Sequence, residues 1–515
     1  MIEIEFEGAT YRVREGESAL QALLRGGANI KFSCRKGTCQ VCMLQATSGE
    51  VGPGAKENIR PDLAEAGMFL SCCAHPQTDL VVRQPDPSLL FTPLHLDDKA
   101  WLSSRICRLR FTPERSLTWR PGQFVNLRRE DGLTRSYSVA SDGEAGDVLT
   151  LHVKRLSGGE MSRWLCDEME PGDVIDAQGP LGACFYDRER PDQDMLLLAT
   201  GSGLAPIIGI TRQALRLGHR GRIHLVHGSR HADGLYLVEE LRQLAEDHPN
   251  FTYTPCLSRE PVPDAVALGR VVDLAFDAHP DLEGWSVFLT GVPEMVYEAR
   301  HRAVLAGVAR SDIHADPFEF AHRFEPNDKE KMNAVEGDPE LWEALGRGVG
   351  LMAIIRAFYD QAFDDPRLAP FFHRVTKQRA IEKQYSFLSD MFTGKRDYFG
   401  LRPFNAHHWM IISDELFDYR EAMFEQCVRD HGLPEHLIRR WNALHELFRR
   451  DIVKSEARGL ILNGEEHMRE GHTVVLVEVA TVCDGCVGEV NVGESARLHN
   501  RTGELFCERC AATTL

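Results

Sequence analysis

The chain is 515 residues long, too long for one hydrophobic core, so roughly three to five domains are expected. Its composition is that of an ordinary soluble protein, with 43% hydrophobic residues, and its formal net charge of -18 argues against nucleic acid and anionic membranes as partners. No apolar run approaches a membrane span, and most of the 14 cysteines fall in two metal-like clusters, which points to a reducing cytoplasmic setting rather than a disulfide framework.

At the start, Ile2, Ile4 and Phe6 alternate with acidic residues and Tyr11 and Val13 repeat the pattern. This reads as a β-hairpin rather than a signal peptide. A short helix is expected around 19–24. Cys34, Cys39 and Cys42 then follow with C-x4-C-x2-C spacing. Thiolates in a glycine-containing loop can wrap a compact cluster, with backbone N–H groups aimed at its sulfurs. The spacing resembles the plant-type 2Fe-2S ferredoxins, a β-grasp family whose fourth ligand lies in a distant Leu-x-Cys stretch. Here Leu70-Ser71-Cys72 supplies it; Cys72 has the right distance from Leu70 and Cys73 is the reserve. A zinc site or idle thiols would be the alternative. This domain is assigned to residues 1–93.

Residues 98–190 read as short alternating strands of a small barrel. Pro121-Gly122-Gln123-Phe124-Val125 and Arg135-Ser136-Tyr137-Ser138 resemble the flavin domain of the ferredoxin reductases. The resemblance implies that Arg135 holds an FAD phosphate within the motif that includes Ser136. It also implies that Tyr137 packs on the isoalloxazine and that Ser138 approaches its reactive nitrogen. Lys154 ends a second strand, and Gly159, Met161 and Ser162 would meet the pyrophosphate at a helix N-terminus.

Residues 191–322 carry a buried-strand run at 195–199, then Gly201-Ser202-Gly203-Leu204-Ala205-Pro206. Strand, tight glycine turn and helix form a phosphate-binding arrangement, although not a full G-x-G-x-x-G. By the same resemblance, Gly201, Gly203, Ala205 and Pro206 bind nucleotide. Cys256 would stand beside the nicotinamide, with a core strand cysteine as the alternative. Gly291 and Pro293 belong to a Cys-Gly-Pro-Pro-x-Met-like turn in which Thr290 replaces the cysteine, and Phe318 matches an aromatic near the flavin. Ferredoxin, flavin and nicotinamide modules in this order are those of single-chain oxygenase reductases. NADH, with NADPH as the other candidate, gives up two electrons together, and FAD can release them singly to a cluster.

Residues 323–339 read as a polar linker. Beyond it, Leu351, Ile354, Ile355 and Phe358 recur at helical spacing, with Tyr359 at the edge of that face. Pro366 interrupts helix before Phe371 and Phe372. Ile381, Gln384, Leu388 and Met391 share the next stripe, where an amide is costly without a partner. Ala406-His407-His408 precedes Trp409-Met410-Ile411-Ile412-Ser413. These pieces resemble the truncated haemoglobins, all-α globins, over 340–456. The resemblance makes His407 the ligand of haem b iron, with His408 as competitor. Tyr359 and Gln384 become donors to an iron-bound gas, and Phe372 the wedge against the porphyrin. Trp441, in the closing helix, is expected in the core.

The tail, 457–515, holds Cys483-x2-Cys486 and Cys507-x2-Cys510. Two such knuckles fit tetrahedral zinc in a small zinc-ribbon-like structural site. Redox dithiols or an iron site are the alternatives.

The fold expected is therefore multidomain: β-grasp ferredoxin, FAD-binding β-barrel, α/β nucleotide-binding domain, all-α truncated globin and zinc-ribbon-like tail. The resemblances imply a self-sufficient NAD(P)H-dependent haem oxidoreductase. It would act as a nitric oxide dioxygenase, turning nitric oxide and dioxygen into nitrate through Tyr359, Gln384 and His407. The alternative is a gas-sensing globin that gates the reductase, which then serves a separate oxygenase or electron-carrier protein. A peroxidase or nitrite reductase is a third reading.

Overall fold

The computed structural model describes the chain except residues 1, 15–16, 33–36, 38, 53, 58, 142–147, 260–265, 319–327, 373–374, 397, 399, 455–456, 463–464, 468–470, 478–480 and 512–515. It divides into two compact units, 1–321 and 322–515. Among the described residues no helix is long and apolar enough to cross a membrane.

The first unit opens with a five-stranded sheet of β1 (Glu3–Phe6), β2 (Ala9–Arg12), β3 (Met43–Ser48), β4 (Met68–Leu70) and β5 (Leu80–Arg83), in the order β2-β1-β5-β3-β4. β1 alternates, with Ile4 and Phe6 buried and Glu5 exposed, as a half-buried strand must. Helix α1 (Ala19–Arg25) starts at a capping box in which Ser18 and Gln21 satisfy each other's backbone N–H groups. Its Ala19, Leu20, Ala22 and Leu23 pack into the same core.

A six-stranded antiparallel sheet follows: β6 (Thr92–Trp101), β7 (Ile106–Pro113), β8 (Phe124–Arg128), β9 (Thr134–Ser138), β10 (Leu149–Lys154) and β11 (Val174–Leu181), ordered β10-β7-β6-β11-β8-β9. A bridge between Val139 and Leu151 joins its two ends and closes the barrel. The third sheet is wholly parallel: β12 (Met195–Thr200), β13 (Ile223–Ser229), β14 (Phe251–Leu257), β15 (Ala267–Leu268), β16 (Ser286–Gly291) and β17 (Ile313–Pro317), ordered β15-β14-β13-β12-β16-β17. Leu196, Leu197, Leu198 and Ala199 of β12 have no exposed surface, the composition of a strand covered on both faces. Strand order reverses between β12 and β16, and ligands of such sheets sit beyond the strand ends at that reversal. Helices α2 (Leu204–Arg216) and α3 (Pro293–Leu305) begin there.

The second unit is helical. α4 (Val349–Ala362), α5 (Lys377–Thr393), α6 (Asp414–Asp430) and α7 (Glu435–Leu447) enclose one core that holds Ile354, Ile355, Phe358, Leu388, Phe424 and Trp441. Trp441 lies fully inside it. The expected linker is corrected in part. Its described stretch forms a helix over Asp328–Ala334 that buries Met332. Asp328 accepts from the Phe404 amide at 2.9 Å, and Lys331 pairs with buried Asp451 at 2.6 Å. A lone methionine and two ion-pairing residues leave no apolar period in the sequence, so composition alone could not show the contact. The tail adds a three-stranded sheet of His472–Leu476, Ser495–His499 and Leu505–Cys507.

Candidate functional site

Three of the expected cluster ligands are described, and Cys34 lies outside the described residues. Cys39, Cys42 and Cys72 are buried, whereas Cys73 is partly exposed. Ser71 ties the loop from below, its hydroxyl donating to the Cys42 carbonyl at 2.7 Å. The Cys72 thiol meets those of Cys42 and Cys73, and these contacts, with burial, push it up. Crowded buried thiols resist ionising until a cation relieves them, which is the donor chemistry of an iron–sulfur cluster. Cys73 instead packs against Gly37, where an added Cβ would lie 2.8 Å from its sulfur.

On the barrel side the structure supplies a residue that sequence reasoning missed. Asn126 of β8 is fully buried. Its amide donates to the Cys39 carbonyl and, at 3.0 Å, to Gln178. Its carbonyl accepts from Ser136 at 2.8 Å. One side chain thus bridges the cluster loop and the flavin motif. Its signal was present: an asparagine inside the otherwise apolar Phe124–Arg128 strand needs partners. Arg135 is exposed and donates to the Thr134 carbonyl. Tyr137 packs on the barrel core, and burial raises its phenol.

Ser138 donates to Asp316 at 3.0 Å across 178 residues of sequence. Burial pushes the Asp316 carboxyl up to about 6, although the Ser138 bond opposes this. Asp316 had no assigned role. Below about pH 6 it holds a proton beside the flavin motif; above, it presents a negative charge. A carboxylate there opposes arrival of a hydride, so flavin reduction by NADH is expected to slow as pH rises through about 6. Asp316→Asn should flatten that profile, checked by anaerobic stopped-flow bleaching from pH 5 to 8. A several-fold change is expected.

Lys154 stands at the nucleotide side. Burial lowers its ammonium, helped by Arg105 and Arg230, and a Cβ on Gly201 would come 3.7 Å from its Nζ. This concentration of cations at a glycine turn suits a phosphate. Met161 sits in the barrel core. The Ser162 hydroxyl is spent on the Gly159 carbonyl and the Leu156 amide, so the Gly159–Ser162 turn has backbone rather than side chains to offer an anion.

Gly203 is pressed against β16, where a Cβ would lie 2.4 Å from the Thr290 carbonyl oxygen. Gly291 has φ +127° and abuts Thr200. Thr290 answers why the family's cysteine is absent without loss of the fold: its buried hydroxyl donates to the Gly203 carbonyl at 2.6 Å and ties the two turns together. Ala205 and Pro206 are buried in the first turn of α2, and Pro293 in that of α3. Phe318 donates its amide to Gly291 at 2.8 Å. Cys256 stands in β14, where it pairs with Gly228 of β13. It has no exposed surface, and burial pushes its thiol up to about 12. Its sulfur lies beside Gly228, where an added Cβ would come within 3.0 Å of it.

In the second unit Tyr359, Phe372, Gln384 and His407 line one cavity; His408 does not. His407 Nδ1 lies 2.8 Å from the Pro403 carbonyl, which makes Nδ1 the protonated nitrogen and leaves the Nε2 lone pair as the donor that could hold a metal. Burial lowers His407 to about 4, reinforced by Lys454, so the ring is the neutral form, the one that can serve as a metal ligand. His408 is fully buried, with Nδ1 2.6 Å from the Asn405 carbonyl. Burial raises the Tyr359 phenol and keeps it a donor. Phe372 stacks on Phe363 with centroids 4.4 Å apart and meets Tyr359 edge-on. An aromatic cavity with one neutral imidazole fits haem.

Sequence reasoning missed Arg420, Glu421 and His445 in the same wall. Glu421 pairs with Arg420 and with His445 Nδ1 at 2.7 Å. The signal was Glu421 on the Phe417, Phe424 and Val428 stripe of α6.

In the tail, the sulfurs of Cys483, Cys486, Cys507 and Cys510 all lie within 4.8 Å of one another. Cys486 and Cys507 are 3.8 Å apart, the edge of a tetrahedron with metal–sulfur bonds of about 2.3 Å. Amides of Gly485 and Cys507 point at Cys483 Sγ. The Gly488 amide and Arg509 lower Cys486 to about 6. The donor set fits zinc.

A thiol loop hydrogen-bonded to a flavin-type barrel, itself followed by a parallel nucleotide sheet, defines an iron–sulfur flavoprotein electron-transfer module; the second unit adds a globin. Comparison with known proteins bears on both. Family models match for the 2Fe-2S iron-sulfur cluster binding domain (residues 2–77), the oxidoreductase FAD-binding domain (93–186), the oxidoreductase NAD-binding domain (197–301) and the bacterial-like globin (340–453). The chain is 37% identical over 298 residues to the reductase subunit of an aromatic O-demethylase from an Amycolatopsis species, which covers 55% of this chain and 87% of the relative. It is 32% identical over 335 residues to the reductase component of a phenol 2-monooxygenase from a Pseudomonas species, covering 62% and 94%. A crystal structure of an Amycolatopsis cytochrome P450 reductase matches 62% of this chain and all of its own, at 31% identity and a TM-score of 0.46. The chain belongs to the family of 2Fe-2S, FAD- and NAD(P)H-dependent oxygenase reductases and carries a haem-binding bacterial-like globin in the same polypeptide.

Proposed function

We propose that this oxidoreductase passes NAD(P)H electrons through FAD and the 2Fe-2S cluster to a separate oxygenase or electron carrier, and that ligand occupancy of the globin sets the rate. The observation that carries the reading is the match of the first unit to reductase subunits and components, over 87% and 94% of their own lengths. The cluster loop is joined to the flavin motif through Asn126, which suits one-electron exit at the cluster. Asn126 holds the Cys39 carbonyl, Ser138 and Asp316 set the charge at the flavin, and Lys154 meets the nucleotide turn. In the globin, His407 offers Nε2 while Tyr359 and Gln384 place donors in the same cavity. Haem held there would supply an iron able to bind a small gas.

The test is NADH-driven reduction of an added one-electron acceptor, such as cytochrome c, by the full-length protein. Carbon monoxide is expected to change the rate at least about twofold, within the range of allosteric couplings. An unchanged rate with the haem fully ligated rejects the gating.

A second reading is favoured by Tyr359 and Gln384 lying in one cavity with His407: electrons go to the chain's own haem, and nitric oxide and dioxygen become nitrate. That reading requires NADH-dependent nitric oxide consumption that persists without any added acceptor.

A further inference from the structure

The four-cysteine tail has little core of its own. Its buried apolar cluster among the described residues is Val477, Cys483, Val490 and Ala496, too little to order a segment this size without a metal. Yet it grips two segments that line the globin cavity. Asp484, inside the first Cys-x2-Cys turn, holds the Arg379 guanidinium of α5 through both oxygens, one bond at 2.8 Å, and also accepts from the Leu505 amide. One helical turn further, Lys383 donates to the Thr502 carbonyl at 3.0 Å and the Gly503 carbonyl at 3.3 Å. Lys383 immediately precedes Gln384. Beside the His407 segment, Arg501 stacks on Trp409, two residues beyond His407, with its guanidinium carbon 4.3 Å from the ring centroid. Arg501 and Thr502 themselves line the cavity.

We propose that a zinc ion held by Cys483, Cys486, Cys507 and Cys510 locks the 501–503 turn across the mouth of the globin cavity, so that metal occupancy governs how tightly haem is retained. The metal fixes the knuckle that carries Asp484. Asp484 and the 502–503 carbonyls fix α5, and Arg501 fixes the His407 segment. Arg379 and Asp484 are only 20% and 23% exposed, so their pairing is worth more than a solvated surface pair. Loss of the metal frees the turn to sample many conformations, and the cavity then opens on the side the tail covers. The inference needs haem in the cavity but does not depend on which acceptor receives the electrons.

The experiment uses the full-length holoprotein, with elemental analysis for zinc and haem transfer to excess apomyoglobin followed at the Soret band. One zinc per chain is expected. Cys507→Ser should lose it and release haem about tenfold faster or more. Asp484→Asn, which keeps all four thiols, should retain zinc and still release haem several-fold faster. Flavin and cluster spectra should not change in either. The proposal is overturned by a protein without tail zinc, by zinc loss that leaves haem transfer within twofold, or by an Asp484→Asn variant with wild-type transfer. If Cys507→Ser fails to fold, the Asp484→Asn rate decides. A carbon monoxide effect absent from electron transfer would reject the gating and leave this result untouched.

Discussion

His407→Ala is expected to leave the full-length protein with less than about a tenth of its haem, while NADH-driven reduction of an added acceptor continues at its basal rate. The argument is one of supply. His407 Nδ1 is committed to the Pro403 carbonyl, so the ring is held at an angle that gives Nε2 to the cavity. His408 cannot substitute, because it has no exposed surface and does not line the cavity. Bringing it to the iron would require turning the Ala406–Trp409 segment, which the Asn405 bonds to Ile461 resist. Haem in the variant would rest on aromatic contacts alone. A pyridine haemochrome assay per chain, beside the Soret spectrum, checks it, and His408→Ala is the control. A wild-type Soret band in His407→Ala together with its loss in His408→Ala would reverse the assignment.

The second large effect is expected at Asn126. Asn126→Ala should leave flavin bleaching by NADH within about twofold of wild type but slow the appearance of reduced cluster about tenfold or more. Removing the side chain takes a donor from the buried Cys39 carbonyl and the buried Gln178 amide oxygen, while the exposed Ser136 hydroxyl can turn to water. Each stranded buried partner costs about 1–3 kcal/mol, enough to let the loop and barrel shift apart at the point where they touch. Stopped-flow absorbance with freeze-quench electron paramagnetic resonance separates the two steps. Equal slowing of both would mean that Asn126 serves the barrel's stability rather than the handover.

How far each part was legible follows the sequence distance over which it is written. The five-part fold class could be read because local motifs resemble known families, and local periods agree with them: alternation in β1, a buried run at β12 followed by glycine and α2, and helical stripes through α4 and α5. The thiol pairs of the tail were equally plain, since Cys-x2-Cys ligands are neighbours whatever the rest of the chain does. The 328–334 helix was missed because two of its anchoring groups, Asp328 and Lys331, are polar and find partners more than 70 residues away. Cys256 shows what a motif leaves out: the register of β13 and β14, which sets it opposite Gly228 and buries its sulfur, is written only in the packed sheet.

By itself, then, the order of residues determined which modules are present and which metal or nucleotide chemistry each can hold, because ligands within a few residues of one another are set by backbone geometry alone. Only the tertiary structure decided which of His407 and His408 faces the cavity, that Asn126 spans cluster loop and flavin motif, that Asp316 meets Ser138, and that the tail braces α5. The Asn126–Cys39, Arg379–Asp484 and Ser138–Asp316 pairings join residues 87 to 178 positions apart. No local pattern encodes them, since they arise when buried polar groups that cannot be left in apolar surroundings find one another as the sheets and helices pack.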